Sequence, residues 1–238
     1  MKIQYDNLMI EVTRRCNMSC AHCLRGDAQN RDISREVIEK IFENTESINC
    51  LTFGGGEISL NVEGLNMILE VAKEKDVDIY NFYAVTNGKE ISEDFLITIM
   101  KWYAYTQSCN NGYQDEITGL SLSKDDFHEC IPEYNEYLLK SFSFFRADKE
   151  TDWNNIPLLN LGRAKTLSQG YQKREMRYYA PEPEFYNDTL SFSEMVSVTV
   201  NGDILSDCDY EYENTDEIKI GNVFDSNWYE KYTKAQAA

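Results

Sequence analysis

The chain has 238 residues, 42% hydrophobic and 13% aromatic, which suits one large domain or one domain with a small appendage. No run approaches the roughly 18 apolar residues of a membrane span, and the N-terminus lacks the basic and apolar regions of a secretory signal, so a cytoplasmic protein is expected. The 41 acidic residues against 23 basic ones leave a net charge of −18, which repels phosphate backbones and excludes a nucleic-acid partner.

From residue 8 to about 161, short β-rich runs alternate with helical patterns, the order of repeated βα units around a mostly parallel sheet. The runs are residues 8–13, 50–53, 79–85, 119–123, 142–145 and 156–161. Ser34 can cap a helix with Val37, Ile38, Ile41 and Phe42 on one face, and the stretch after Asn61 repeats the pattern with Val62, Leu65, Leu69 and Ala72. Ser92 opens a third helix with Phe95, Ile99 and Trp102 on one side, and a fourth runs from about residue 126 to 140. The interval 146–155 is too short for a helical crossover, so that unit is expected to be truncated or irregular.

Eight βα units take about 250 residues and six about 190, so an open, partial (β/α)6 barrel is expected. It spans residues 1–164, followed by a polar connection over 165–191 that carries Pro181 and Pro183, and a small β extension over 192–238. In that extension Val198-Thr199-Val200, Asn201-Gly202 and Asp203-Ile204-Leu205 read as a two-residue hairpin, and residues 218–223 as one more strand.

Seven cysteines, an odd number, cannot form a fully paired disulfide framework, and three fall within eight residues as Cys16-x3-Cys20-x2-Cys23. Structural zinc prefers four ligands in two separated pairs, whereas three thiolates on a [4Fe–4S] cluster leave one iron open to a ligand. A zinc loop completed by His22 or by a distant cysteine is the other reading the triplet allows. Cys50, Cys109 and Cys130 stand singly and read as buried structural thiols. Thr52-Phe53-Gly54-Gly55-Gly56-Glu57 closes the second run: glycines let a ligand approach the backbone, and a carboxylate at the end of a barrel strand faces the ligand side. Alone, the glycine run also reads as a turn.

Together these motifs resemble the radical S-adenosylmethionine superfamily, whose mark is a C-x3-C-x2-C loop after the first barrel strand. Thr13-Arg14-Arg15-Cys16-Asn17 is similar to the entry to that loop, and the glycine run with Glu57 is similar to the family's GGE motif. The resemblance implies a [4Fe–4S] cluster on Cys16, Cys20 and Cys23, with S-adenosylmethionine chelating the open iron. It implies that Gly55, Gly56 and Glu57 hold the methionine amino group. Asn87, in Val85-Thr86-Asn87-Gly88, falls at the third strand of the pattern, and Ser121 or Ser123 at the ribose, with Ser121 preferred. Backbone at Leu161, in Leu161-Gly162-Arg163-Ala164, is expected beside the adenine. His22 stands where the family usually has an aromatic residue, and its planar ring is expected against the same base. Either serine also reads as a solvated strand-end hydroxyl, and His22 as a surface histidine. The resemblance covers about residues 8–164.

The tail is similar, more faintly, to the opening of the SPASM extension of peptide-modifying members, through Val200-Asn201-Gly202-Asp203-Ile204, Cys208 and Ile220-Gly221-Asn222-Val223. The downstream cysteines are missing, so no auxiliary cluster is expected. The implied activity is reductive cleavage of S-adenosylmethionine and hydrogen abstraction from a substrate, a peptide first, a small molecule or nucleotide next. A non-catalytic metal-binding protein is the reading from another class. A start about seven residues before the first run is read as leaving no N-terminal module to grip a leader peptide. Residues 13–35 hold five arginines against two aspartates, a local positive charge that could guide an acidic electron donor such as flavodoxin or ferredoxin. The same arginines could instead bind the S-adenosylmethionine carboxylate or pair with acidic neighbours.

Overall fold

The computed structural model describes residues 1–111, 118–146, 158–167, 173–174, 183–226 and 228–229. Its first half runs β1 (Lys2–Thr13), α1 (Arg35–Phe42), β2 (Thr45–Gly55), α2 (Val62–Glu74), β3 (Asp78–Thr86), α3 (Glu93–Cys109), β4 (Gly119–Leu122) and α4 (Glu133–Lys140). The second half holds β5 (Leu158–Leu159), β6 (Lys173–Arg174), β7 (Pro183–Tyr186), β8 (Thr189–Val198), β9 (Asp203–Leu205) and β10 (Lys219–Asn222). No helix among the described residues is long and apolar enough to cross a membrane.

Each of the first three helices begins where a polar side chain satisfies an otherwise free N–H. Ser34 Oγ accepts from Val37 N–H at 3.3 Å, Asn61 Oδ1 from Gly64 N–H at 3.0 Å, and Ser92 Oγ from Phe95 N–H at 3.1 Å. The faces anticipated from periodicity are the buried ones: Val37, Ile38, Ile41 and Phe42 on α1, Phe95, Ile99 and Trp102 on α3. Each such side chain withdrawn from water contributes roughly 1.5–3 kcal/mol, and together with the strand residues they form one continuous core.

The sheet is mixed α/β and open, in the order β10-β9-β8-β1-β2-β3-β4, with β7 also paired to β8. Strands β8, β1, β2, β3 and β4 are parallel neighbours, and β9, β10 and β7 are antiparallel additions. Every residue of β1 from Leu8 to Thr13 is buried, because both faces of the strand are covered. The outer face meets the helices. The inner face meets a second apolar cluster in which Met9 packs with Leu205, Tyr210, Tyr212 and Ile218.

Several expectations change. Residues 142–145 are aromatic enough to resemble a strand, but their backbone forms turns: Phe142 N–H donates to Leu139 O and Phe145 N–H to Phe142 O, leaving one isolated bridge from Phe145 to Leu120. Of residues 156–161, only 158–161 are described, and β5 there pairs with β6 in a separate two-stranded sheet. The place beside β1 belongs to β8, whose first residues lie in the stretch read as a polar connection. A bulge hides its alternation: Tyr5 faces Phe192 and Asn7 faces Met195, so Ser193 and Glu194 together oppose Asp6. The fourth helix starts later than expected, after Pro132, because Asp125 first closes a turn by accepting from Phe127 N–H. The β8–β9 hairpin has a three-residue loop: Thr199 pairs with Asp203, Gly202 N–H donates to Thr199 O, and Gly202 takes φ +81°, which only glycine adopts freely. The interval 147–155 lies outside the described residues.

Candidate functional site

The ends of the parallel strands converge on the loop that follows β1. This loop returns to its own base: Arg14 N–H donates to Arg31 O at 2.8 Å, Gln29 N–H to Arg14 O at 3.0 Å, and Thr13 Oγ1–H to Asp32 Oδ1 at 2.6 Å. The end of β2 packs directly on it. Gly56 N–H donates to Thr13 O and Glu57 N–H to Arg15 O, both at 2.8 Å, and a Cβ at Gly55 or Gly56 would collide with those same two carbonyls. Gly55 also takes φ +125°, so two consecutive glycines are needed to bring this turn against the cysteine loop.

Cys16, Cys20 and Cys23 are free thiols and face one cavity of about 390 Å³, which His22, Gly55, Gly56, Glu57, Asn87 and Ser123 also line. A smaller cavity of about 60 Å³ adjoins the three cysteines on the side of Arg14, Arg163 and Tyr212. Burial pushes the Cys20 thiol up to about 11, with Cys16 and Cys23 adding to the rise, and raises Cys16 as well. Three half-buried thiols sharing a glycine-walled space, with a buried Tyr212 hydroxyl that has no hydrogen-bond partner among the described residues, fit a multinuclear sulfur-rich group.

Glu57 is 1% exposed, and its carboxylate is held from three directions. Oε1 accepts from Ser59 N–H at 3.0 Å and from Thr86 Oγ1–H at 2.7 Å, and Oε2 accepts from Asn87 N–H at 2.7 Å. An ionised carboxylate offers about four acceptor positions, so one remains beyond these three bonds. Asn87 Nδ2–H donates to Asn17 Oδ1 at 2.8 Å, which fastens the end of β3 to the cysteine loop.

Ser123 and His22 meet in a network that the sequence did not suggest. Asp125 takes His22 Nε2 at 3.1 Å and His128 Nδ1 at 2.7 Å, and His128 Nε2 lies 3.0 Å from Ser123 Oγ. His22 stacks on Phe127 with ring centroids 4.8 Å apart, and burial holds its imidazole below the usual value against the opposing pull of Asp125. These are the chain's two histidines. Ser121 lies one pleat back from Ser123, 1% exposed, with its Oγ buried and without a partner among the described residues. Of the two serines, Ser123 is the one on the cavity wall. Leu161 is half-buried and is not among the residues lining either cavity, but the next residues brace the cysteine loop. Gly162 packs on the Cys23 and Leu24 carbonyls, Arg163 N–H donates to Cys23 O and Arg163 Nε–H to Cys20 O, both at 2.9 Å.

Most of the arginines are occupied within the fold. Arg14 pairs with Glu11 at 3.0 Å, both buried; Arg15 pairs with Asp32 at 2.9 Å; Arg35 meets Glu39, Glu70 and Glu74. Arg25 lies over the Tyr210 ring, 3.8 Å from its centroid, and Arg31 is exposed. Of the single cysteines, Cys50 is buried as expected, Cys109 is half-buried, and Cys130 is exposed.

Comparison with known proteins bears on this site directly. Residues 10–102 match the sequence model of the radical SAM superfamily. Glutamate 2,3-aminomutase of Clostridioides difficile (strain 630) is 30% identical over 124 residues, 48% of this chain and 29% of that protein, so the chain spans under a third of this curated relative's length. The solved structure of polyhistidine-tagged anSMEcpe with bound AdoMet is similar with a TM-score of 0.57 at 16% identity, over 97% of this chain and 82% of that one. Native anSMEcpe with bound AdoMet and Cp18Cys peptide gives 0.56 at 16% identity, over 98% and 82%. At such identity the likeness is one of fold.

Proposed function

We propose that this chain, a radical S-adenosylmethionine superfamily member matched over residues 10–102, binds a [4Fe–4S] cluster through Cys16, Cys20 and Cys23 and uses S-adenosylmethionine to abstract hydrogen from a peptide. The observation that carries this reading is that the three thiols and the buried Glu57 carboxylate line a single cavity. Held by Cys16, Cys20 and Cys23, such a cluster would supply the single electron that reductive cleavage of S-adenosylmethionine requires.

The chain's own part is to bind, orient and shield. The remaining acceptor position of Glu57 suits the methionine ammonium, and the bonds from Thr86, Asn87 and Ser59 keep that carboxylate from turning away. Gly55 and Gly56 let the end of β2 close on the cysteine loop at the cavity wall, Ser123 offers a hydroxyl already oriented by His128, and the flat ring of His22 suits the adenine. Tyr210 and Tyr212 close the other side of the loop against water. A structural zinc loop has no use for a buried carboxylate at the cavity wall. Arg31, exposed on the cysteine loop, offers positive charge toward an acidic electron donor such as flavodoxin or ferredoxin.

The peptide substrate is supported by the fold shared with anSMEcpe, whose structure holds a Cp18Cys peptide, and by the tail's SPASM-like order. A second reading, an amino acid substrate, is favoured by the 30% identity to glutamate 2,3-aminomutase. Anaerobic reconstitution followed by a 5'-deoxyadenosine assay with unmodified peptides and with free amino acids separates the two: stimulation by peptides alone supports the first, and stimulation by glutamate or another amino acid alone rejects it.

A further inference from the structure

The segment after β9 turns back over the cysteine loop. Tyr212 N–H donates to Arg25 O and Arg25 Nη1–H to Tyr210 O, both at 3.1 Å, and Gln29 Nε2–H donates to Glu213 Oε1 at 2.9 Å. Lys165 pairs with Glu211 beside them. The Arg14 guanidinium lies over the Tyr212 ring, 4.6 Å from its centroid, and fixes that ring in place. Tyr212 is thus buried from the C-terminal half of the chain, and it lines the same small cavity as Cys16, Cys20 and Cys23.

Its hydroxyl is buried without a hydrogen-bond partner among the described residues. A phenol enclosed this way is costly unless something within reach accepts its proton, and the cavity that Tyr212 lines is bounded by three thiols. We infer that Tyr212 donates its hydroxyl to a sulfur of the cluster or of its thiolates and thereby sets the cluster's reduction potential. The inference rests on the cluster reading above. The positive end of an O–H dipole favours the reduced, more negative state, so losing it lowers the potential. The tail thereby acts on the cluster with a hydrogen bond, as a positioning element that supplies no ligand.

The test compares reconstituted wild type, Tyr212→Phe and Tyr210→Phe by EPR-monitored redox titration, with iron counted in each. Phenylalanine keeps the ring under Arg14. Tyr210 is the control: its hydroxyl is also buried without a partner among the described residues, but Tyr210 does not line the cavity of the three cysteines, and its ring covers Arg25. Tyr212→Phe is expected to change the oxidised-to-reduced ratio about tenfold at fixed potential, about 59 mV downward for one electron, with Tyr210→Phe unmoved. The reduced wild type is expected to show an exchangeable proton coupled to the cluster by ENDOR in light against heavy water, absent from Tyr212→Phe. An unmoved potential, an equal shift in both variants, or no exchangeable coupling in the wild type overturns the inference. A wild type that holds iron but shows these results removes only the role of Tyr212, whereas a wild type without cluster iron removes the reading beneath it.

Discussion

Thr86 Oγ1 donates a 2.7 Å hydrogen bond to Glu57 Oε1, so the ends of β3 and β2 are joined at the cavity wall by a carboxylate that is 1% exposed. Asn87 N–H holds the other oxygen at 2.7 Å. Glu57→Gln replaces one acceptor oxygen with an NH₂ that must face a donor. A charge-assisted bond to the ligand is worth about 1.5–3 kcal/mol, so S-adenosylmethionine affinity is expected to fall about ten- to a hundredfold while iron content stays constant. Equilibrium binding and iron analysis check it; unchanged affinity, or lost iron, would contradict the role given to Glu57.

Arg163 reaches the cysteine loop from the far side of the chain, with Nε–H on Cys20 O at 2.9 Å and Nη1 on exposed Asp27 at 3.1 Å. Arg163→Ala removes the bond to Cys20 and leaves the backbone bond to Cys23. Loss of about 1 kcal/mol of support corresponds to about fivefold faster loss of iron to a chelator. Identical chelation rates would mean that the loop holds its shape without this brace.

Phe192 is fully buried on β8 between Tyr5 and Trp228, with ring centroids 5.6 Å and 5.8 Å away. Because β8 extends the same sheet as β1, Phe192→Ala is expected to destabilise the whole chain by about 3–5 kcal/mol in a single denaturation transition. A tail that unfolds separately, leaving the main transition in place, would contradict that continuity.

Burial pushes the Cys208 thiol up to about 12, and Asp209 and Asp207 add to the rise. It therefore stays protonated at pH 8 and pH 10, while Cys130 is exposed. Alkylation of the native protein at pH 8, read by mass spectrometry, is expected to label Cys130 at least about a hundredfold faster than Cys208. Equal labelling of the two would contradict the raised, half-buried thiol of Cys208.

The legible parts of the sequence were those governed by local rules. Ser34, Asn61 and Ser92 announce their helices by capping, and the cysteine spacing with the glycine run announces the cavity, because each signal lies within a few consecutive residues. What escaped depends on distant residues. The place of β8 beside β1 is masked by the bulge at Ser193 and Glu194, and Phe142 and Phe144 resemble a strand while they stack on each other in a turn. Asp125 gathers His22 and His128, and Tyr210 gathers Arg25, through contacts that no spacing rule encodes. Arg25, read from composition as a docking charge, is instead seated on the ring of Tyr210, 185 residues away along the chain.

The most direct test of the central claim is metal and product analysis on anaerobically reconstituted protein given S-adenosylmethionine and dithionite. The account predicts about four irons per chain and formation of 5'-deoxyadenosine, both lost when Cys16, Cys20 and Cys23 are replaced by alanine. One tightly held zinc per chain, no cluster iron and no 5'-deoxyadenosine would contradict it.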